Sequence, residues 1–223
     1  LFLIGSVTAQ EMRHLNLEDA VMGYYKGLYP EQKSIQWIED SDDFAIIEND
    51  VVFVHSATHT DLESSISLFN LEELQVSIPS IKRLPSSFHR ITTHEVHLSH
   101  DHSFIAYNHV KKNVIEKVIY PDEAENTDFN SQVMTAAFTM ENNLYLANSK
   151  NKLIPITKHD NPNVISGQAI ARSEFGIRKG TFWSPNGSRL AFYEKDETNV
   201  TDYPLVDYTS TPASLNSIKY PMN

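Results

Sequence analysis

Short strand-turn-strand segments recur along this 223-residue chain, and they constrain its fold more than any other feature. The clearest is TFWSPNGSRLAFY (181–193), in which Asn186-Gly187 separates two apolar runs. Asn and Gly tolerate the positive φ angles that both central positions of a type I′ turn need. We therefore predict a β-hairpin with a type I′ turn at this dipeptide.

The same pattern occurs three more times upstream, in IQWIEDSDDFAII (35–47), VHLSHDHSFIAYN (96–108) and AAFTMENNLYLAN (136–148). One bulky residue enters each of the four turns, namely Trp37, Leu98, Phe138 and Trp183. Successive copies are therefore 61, 40 and 45 residues apart. Because a four-stranded propeller blade repeats about every 40 to 50 residues, the last two intervals predict blades. The wider first interval predicts an inserted strand or loop.

The segments between the copies are mostly short β-branched runs bounded by polar residues, as is typical of strands. They are VVFVHSAT (51–58), SISLFNL (65–71), LQVSI (74–78), NVIEKVIY (113–120) and KLIPIT (152–157). One helix is predicted in NLEDAVMGYY (16–25), with Asn16 as its N-cap and two acidic residues in its first turn.

The predicted fold class is all-β, made of propeller blades that are four-stranded antiparallel sheets. A ring needs about four to eight blades to remove its exposed strand edges, and only about four can be placed here. The sequence therefore predicts a partial propeller.

The first ten residues, LFLIGSVTAQ, resemble the end of a signal-peptide h-region, with Val7 and Ala9 in an A-x-A-like cleavage pattern. A buried first strand is the alternative interpretation. The expected organisation is a signal-peptide remnant at 1–10 and a partial propeller domain at 11–223. Export to the periplasm or outside the cell is expected, and ten residues are too few to span a bilayer.

Composition excludes several classes of function. The chain has no cysteine, so it can form no disulfide, thiolate metal site or cysteine nucleophile. It has 18 basic and 29 acidic residues and a formal charge of −11, which repels nucleic acid and anionic membranes.

The densest group of titratable residues is HRITTHEVHLSHDH (89–102), which holds five histidines. In a strand, His94 and His97 would point to opposite faces, while His100 and His102 fall at a turn. HEVH also lacks the one-turn spacing of the zinc-peptidase motif H-E-x-x-H. We expect a solvated turn with a buried His97, and no metal site or cofactor.

No catalytic serine is recognisable. A nucleophile elbow needs G-x-S-x-G, but the glycine pairs four residues apart, Gly23 with Gly27 and Gly176 with Gly180, enclose Tyr25 and Arg178. No catalytic residue is therefore assigned.

Two stretches carry a family resemblance. EFGIRKGTFWSPNGSRLAFYEKDETNVTDYPLVDY (174–208), with the closing KYPM (219–222), resembles the N-terminal β-propeller of dipeptidyl peptidase IV, in the prolyl oligopeptidase family, and especially its secreted bacterial members. LNLEDAVMGYYKGLYPEQKSIQWIED (15–40) is similar to the entry into that propeller, whereas about 51–165 matches only as generic blades.

The resemblance implies a parent enzyme with an eight-bladed propeller over an α/β-hydrolase domain that carries a Ser, Asp, His triad. Such enzymes release dipeptides, often after Pro or Ala, from peptides with a free N-terminus. The implied partners are those peptides and the hydrolase domain, which this chain lacks, and a homodimer of the parent is possible. The chain alone is expected to be inactive.

The resemblance also implies one site residue. In the family, acidic residues just before the aromatic-Ser-Pro hairpin bind the α-ammonium group of the substrate, and Glu174 in SEFG (173–176) occupies that position. The family has paired glutamates there, whereas Arg172 and Ser173 precede Glu174 in this chain. An exposed loop glutamate without a ligand is the alternative. The family's substrate-binding propeller arginine has no clear match, and neither Arg172 nor Arg178 is assigned to it.

Two functional hypotheses follow. The first is a substrate-gating propeller portion of a serine exopeptidase that releases dipeptides. The alternative is a non-catalytic exported propeller that binds a protein or glycan partner, since a fold does not fix a function.

Overall fold

The computed structural model describes residues 16–23, 25, 27, 33–58, 66–150, 152–170 and 174–219. The chain divides into two compact units, 1–34 and 35–223. The predicted signal-peptide remnant at 1–10 and the closing residues 220–223 lie outside the described residues. Among the described residues, no helix is long and apolar enough to cross a membrane.

The first unit contains the predicted helix, α1, at Leu17–Met22. Asn16 is its N-cap, because the Asn16 side chain accepts a hydrogen bond from the Asp19 backbone N–H at 2.8 Å. The Asp19 carboxylate accepts one in return from the Asn16 N–H at 3.4 Å. This reciprocal capping box satisfies two backbone donors that the helix cannot pair internally. The predicted helix and its cap are confirmed.

The second unit begins with three antiparallel sheets of four strands, each paired in chain order. The first contains β1 (Ile35–Trp37), β2 (Asp43–Glu48), β3 (Val51–Ser56) and β4 (Ile66–Asn70). The second contains β5 (Arg90–Ile91), β6 (Glu95–His100), β7 (Ser103–Asn108) and β8 (Asn113–Ile119). The third contains β9 (Glu125–Asn130), β10 (Thr135–Met140), β11 (Asn143–Asn148) and β12 (Leu153–Pro155).

Three two-stranded pairs follow. They are β13 (Val164–Ser166) with β16 (Glu194–Asp196), β14 (Thr181–Trp183) with β15 (Leu190–Phe192), and β17 (Asp202–Asp207) with β18 (Ser214–Lys219). Only Tyr193 separates β15 from β16, so one stretch of chain pairs with β14 and then with β13. The predicted all-β fold, built on four-stranded antiparallel blades, is confirmed.

The first copy of the hairpin pattern is displaced by one strand. The Trp37 segment does form a hairpin, but it joins β1 to β2, whereas the Leu98 and Phe138 segments join the second and third strands of their sheets. The residue of the first sheet that corresponds to Leu98 is Ile46, which lies three positions before the turn between β2 and β3. That shift gives an interval of 52 residues, which is closer to a blade repeat than 61.

Two-residue turns with positive φ at both positions occur at these second connections. Their φ angles are 49° and 58° at Asn49-Asp50, 42° and 49° at Asp101-His102, and 47° and 66° at Glu141-Asn142. A positive φ at both central positions is what a type I′ turn requires, and none of the six residues is glycine.

The turn predicted as type I′ has a different geometry. The hairpin between β14 and β15 is confirmed, but only Gly187 has a positive φ, 66°, and Asn186 does not. The Gly187 N–H donates to the Ser184 carbonyl at 2.8 Å, which closes a four-residue turn. Pro185 fixes a negative φ at the second position of that turn, so type I′ is impossible there.

A second helix was not expected. LQVSI was predicted as a strand, but α2 spans Leu71–Ser77. The Asn70 side chain accepts a hydrogen bond from the Glu73 N–H at 2.9 Å, which makes Asn70 an N-cap. Leu74 is fully buried in the core. The wider first interval thus holds an inserted helix.

The core consists of two clusters of buried apolar side chains. One joins the first two sheets and α2, around Phe69, Leu74 and Tyr107. The other joins the second and third sheets, where Phe104 and Phe129 stack with ring centroids 4.6 Å apart. Sheets that pack face to face in chain order are the arrangement expected of successive blades.

Candidate functional site

The connection between β13 and β14 carries the predicted site residue. We call residues 167–180 the Glu174 loop; its residues 171–173 are outside the described part of the chain. The loop leaves the sheet after Ser166, which is fully buried, and returns at Thr181, which is 1% exposed. Both stems therefore start from buried positions.

The two ends of the loop meet at a narrow neck. The Gly167 N–H donates to the Tyr193 carbonyl at 2.8 Å, and the Tyr193 N–H donates to the Gly180 carbonyl at 2.8 Å. A Cβ atom at Gly180 would lie 2.2 Å from the backbone oxygen of Gln168. Only glycine fits such a close approach of two backbones.

The tip of the loop is a short 3-10 turn at Glu174–Gly176. Phe175 has φ 53° and ψ 21°, a left-handed conformation that is uncommon for a bulky residue. Its side chain is 95% exposed. Backbone strain of this kind is concentrated at functional sites, because the surrounding structure must maintain it. Glu174 is thus the first residue of a turn whose backbone is strained at Phe175.

The returning stem of the loop is attached to the third sheet by Asp128, on β9. The two Asp128 carboxylate oxygens lie 3.1 and 3.2 Å from the Lys179 Nζ atom. The Thr181 hydroxyl donates to Asp128 Oδ2 at 2.8 Å. The Asp128 side chain is only 15% exposed, so these are charge-assisted contacts in a partly dry environment.

The leaving stem has a separate attachment, to Asn142 in the turn between β10 and β11. Asn142 Oδ1 accepts a hydrogen bond from the Gln168 side chain at 3.2 Å. The Ser166 N–H also donates to the Asn142 carbonyl at 2.9 Å. Both stems are therefore held against the third sheet.

Neither Arg172 nor Arg178 has a role assigned from the sequence. Arg172 lies outside the described residues. Arg178 is exposed within the loop, two residues after Gly176.

The histidine segment is divided among separate environments. His97 is 2% exposed, and neither of its ring nitrogens has a hydrogen-bond partner in the described structure. Burial lowers the pKa of His97 and also that of His89. His102 lies in the turn between β6 and β7 with φ 49°. The predicted burial of His97 is confirmed, and the described residues contain no group of three or more side chains arranged to hold a metal ion.

Glu174 stays a prediction from the family resemblance, and sequence reasoning missed the contacts that hold its loop. Asp128 and Lys179 are 51 residues apart, and Asp128 follows a run of polar residues that has no distinctive pattern. The only local signal was Gly180, which precedes the apolar strand and indicates a close backbone approach.

Successive four-stranded antiparallel blades, joined by short turns and followed by a loop-bearing hairpin, define the chain as a segment of a β-propeller. The particular family follows from comparison with known proteins. The family described as "Dipeptidyl peptidase IV (DPP IV) N-terminal region" matches residues 88–223, which is more than half of the chain. The chain belongs to this family, so the predicted resemblance is confirmed.

Solved structures agree. A crystal structure assigned to a dipeptidyl aminopeptidase IV of Bacteroides ovatus is 30% identical, with a TM-score of 0.71, over 84% of this chain and 26% of that chain. Dipeptidyl peptidase 4 of Porphyromonas gingivalis is 18% identical, with a TM-score of 0.55, over 94% of this chain and 32% of that chain, and it supports the fold alone.

Among curated relatives, dipeptidyl-aminopeptidase B of Aspergillus niger is 31% identical over 101 residues, which is 38% of this chain and 11% of the relative. The chain therefore spans about a tenth of the length of that relative and about a quarter of the Bacteroides structure.

Proposed function

We propose that this propeller segment provides the amine-binding portion of an exported serine exopeptidase that releases dipeptides from free peptide N-termini. The observation that carries the proposal is the Glu174 loop. An acidic residue opens a strained turn on this narrow-necked loop, and the chain belongs to the dipeptidyl peptidase IV N-terminal family.

The chemistry suits a carboxylate in this position. A peptide α-amine has a pKa of roughly 7.7 to 8.0, so it is mostly an ammonium ion near neutral pH. A carboxylate can pair with that ion through charge-assisted hydrogen bonds. A peptide with a blocked N-terminus has no cation to offer, and this difference gives selectivity for chain ends.

Holding the amine also fixes where the chain is cut. Two extended residues span about 7 Å, so a serine held at that distance from the ammonium site attacks after the second residue. In this proposal the serine, aspartate and histidine belong to a hydrolase domain of the parent enzyme. Residues 11–223 bind and orient the substrate, and residues 1–10 are the remnant of an export signal.

The test is a charge-removing substitution in the parent enzyme. Glu174→Gln preserves the size of the side chain and removes its charge. Since charge-assisted hydrogen bonds contribute about 1.5 to 3 kcal/mol, kcat/KM for free-amine substrates should fall by roughly 10- to 150-fold. Cleavage of the N-acetylated version of the same peptide should be unchanged. Raising the pH through the pKa of the substrate amine should weaken wild-type activity and affect the variant little.

Glu123→Gln is the matched control, because Glu123 is an exposed loop glutamate that precedes β9. This control substitution should leave kcat/KM unchanged for both the free-amine and the N-acetylated substrate. A Glu174→Gln enzyme that stays within about twofold of wild type on free-amine substrates would show that Glu174 is an ordinary loop residue.

A further inference from the structure

Asp128 lies beside a β-bulge in the third sheet, and the bulge determines the direction of the Asp128 side chain. The pairing of β9 with β10 shifts register between Ala137, which faces Asp128, and Thr139, which faces Glu125. Asn126 has a positive φ of 49° within that shift, and its side chain donates to the Thr139 hydroxyl at 2.8 Å. Bulges of this kind bend a strand and redirect its side chains.

Both oxygens of the redirected carboxylate are already engaged. Oδ1 and Oδ2 contact the Lys179 ammonium group, and Oδ2 also accepts the hydrogen bond from Thr181. Most of the acceptor capacity of Asp128, which is about four lone pairs on two oxygens, is therefore used within the protein by Lys179 and Thr181. These contacts flank Gly180, the residue that closes the neck of the Glu174 loop.

The three consecutive residues 179–181 are consequently fixed on two sides. Asp128 holds Lys179 and Thr181 from the third sheet, and Tyr193 holds the Gly180 carbonyl from the strand after the hairpin. A third contact joins β14 to β9: the indole Nε1 of Trp183 donates a hydrogen bond to the backbone carbonyl of Asp128 at 3.5 Å. Only two residues, 177 and 178, separate residue 179 from the turn at Glu174–Gly176, so a change in the position of residue 179 would be transmitted to that turn.

We propose that Asp128 is a positioning residue for the Glu174 loop: it holds the returning stem through Lys179 and Thr181, and thereby sets the distance between the amine-binding turn and the scissile bond. This inference rests on the proposed function for its catalytic consequence. The structural part, that Asp128 restrains the loop, stands on its own contacts.

The first experiment measures the restraint without using activity. Amide hydrogen exchange is followed by mass spectrometry in wild type, in Asp128→Asn and in a control. Loss of a charge-assisted contact should increase exchange in 174–180 by roughly tenfold and leave the second sheet unchanged. Glu73→Gln is the matched control, because Glu73 pairs with Lys112, whose side chain is 54% exposed like that of Lys179.

The second experiment measures the catalytic consequence in the parent enzyme. Asp128→Asn should lower kcat/KM for free-amine dipeptide substrates about tenfold, since a small displacement of the group that orients a substrate lowers the reaction rate. N-acetylated substrates should be unaffected. Combined with Glu174→Gln, the substitution should cause little further loss, because both act on the same interaction. Asp128→Glu, which keeps the carboxylate, should retain part of the preference for free-amine over N-acetylated substrates that Asp128→Asn loses.

The outcomes separate this inference from the proposed function. Unchanged exchange in 174–180 would overturn the restraint. Increased exchange with unchanged selectivity, in an enzyme where Glu174→Gln does reduce selectivity, would overturn the positioning role. If Glu174→Gln itself has no effect, the proposed function fails, and the exchange measurement alone decides whether Asp128 restrains the loop.

Discussion

Replacing His97 by leucine should make the protein less sensitive to acid. His97 lies in β6 with 2% of its surface exposed, and neither ring nitrogen has a hydrogen-bond partner in the described structure. Its nearest acidic atom, Glu95 Oε1, is 3.6 Å from Nε2, beyond hydrogen-bonding distance, and contacts Arg90 at 3.2 Å. The buried imidazole therefore gains little from becoming charged.

Burial lowers the pKa of His97 in the folded state, so the unfolded chain binds the proton more readily. Stability from this residue is fully present above the unfolded pKa of about 6.5 and is lost as the pH falls below it. If the folded imidazole stays neutral, acidification from pH 7.5 to 5.5 costs about 1.4 kcal/mol at this one site. His97→Leu should reduce the acid-induced loss by up to that amount.

The assay is urea unfolding followed by circular dichroism at pH 7.5 and 5.5. Leucine also removes two unpaired buried nitrogen atoms, so the free energy of unfolding at pH 7.5 should be equal to or higher than that of wild type. His94→Leu, at an exposed position before β6, should keep the wild-type pH dependence. If His97→Leu and wild type lose the same free energy between the two pH values, burial of His97 is not a source of acid sensitivity.

Two further predictions concern local structure. Gly187→Ala should lower the free energy of unfolding by about 1 to 3 kcal/mol, because the φ of Gly187 is 66° and a Cβ would lie 2.9 Å from both Val133 methyl groups. Thermal denaturation measures this loss, and an unchanged melting temperature would contradict the close contact. Asn70→Ala should cost about 1 kcal/mol by removing the N-cap of α2, whereas Asn70→Asp should cost less; equal losses in chemical denaturation would mean that the cap is not responsible.

Local patterns predicted the blades well because hairpins are encoded within about a dozen residues. The segments at Leu98 and Phe138 gave the correct strands, since apolar residues alternate on either side of a short polar turn. The first copy was displaced by one strand because Trp37 also precedes a polar turn, and a turn does not reveal which pair of strands it joins.

The errors arose where one residue overrides a pattern. Asn186-Gly187 favours a type I′ turn, but the turn that forms is centred one residue earlier, on Pro185 and Asn186, and proline cannot adopt the positive φ that type I′ requires. LQVSI has strand-like composition, yet the Asn70 cap and the burial of Leu74 select a helix. Tertiary packing thus decided between two conformations of similar local preference.

The candidate site was only partly accessible from sequence. Glu174 was assigned through family resemblance, because a single glutamate in a loop carries no signal of its own. Asp128 could not be found, since its contacts cross between two sheets and span 51 residues. Long-range ion pairs depend on how sheets pack, and no local sequence pattern records that.

The most direct test of the central claim is the product pattern of the parent enzyme. A peptide with a free N-terminus and its N-acetylated counterpart are incubated with the enzyme, and the products are identified by mass spectrometry over time. The amine-anchored geometry predicts stepwise release of dipeptides from the free peptide and little release from the acetylated one. Internal fragments, or equal cleavage of both peptides, would contradict the claim that this propeller segment selects substrates by their terminal ammonium group.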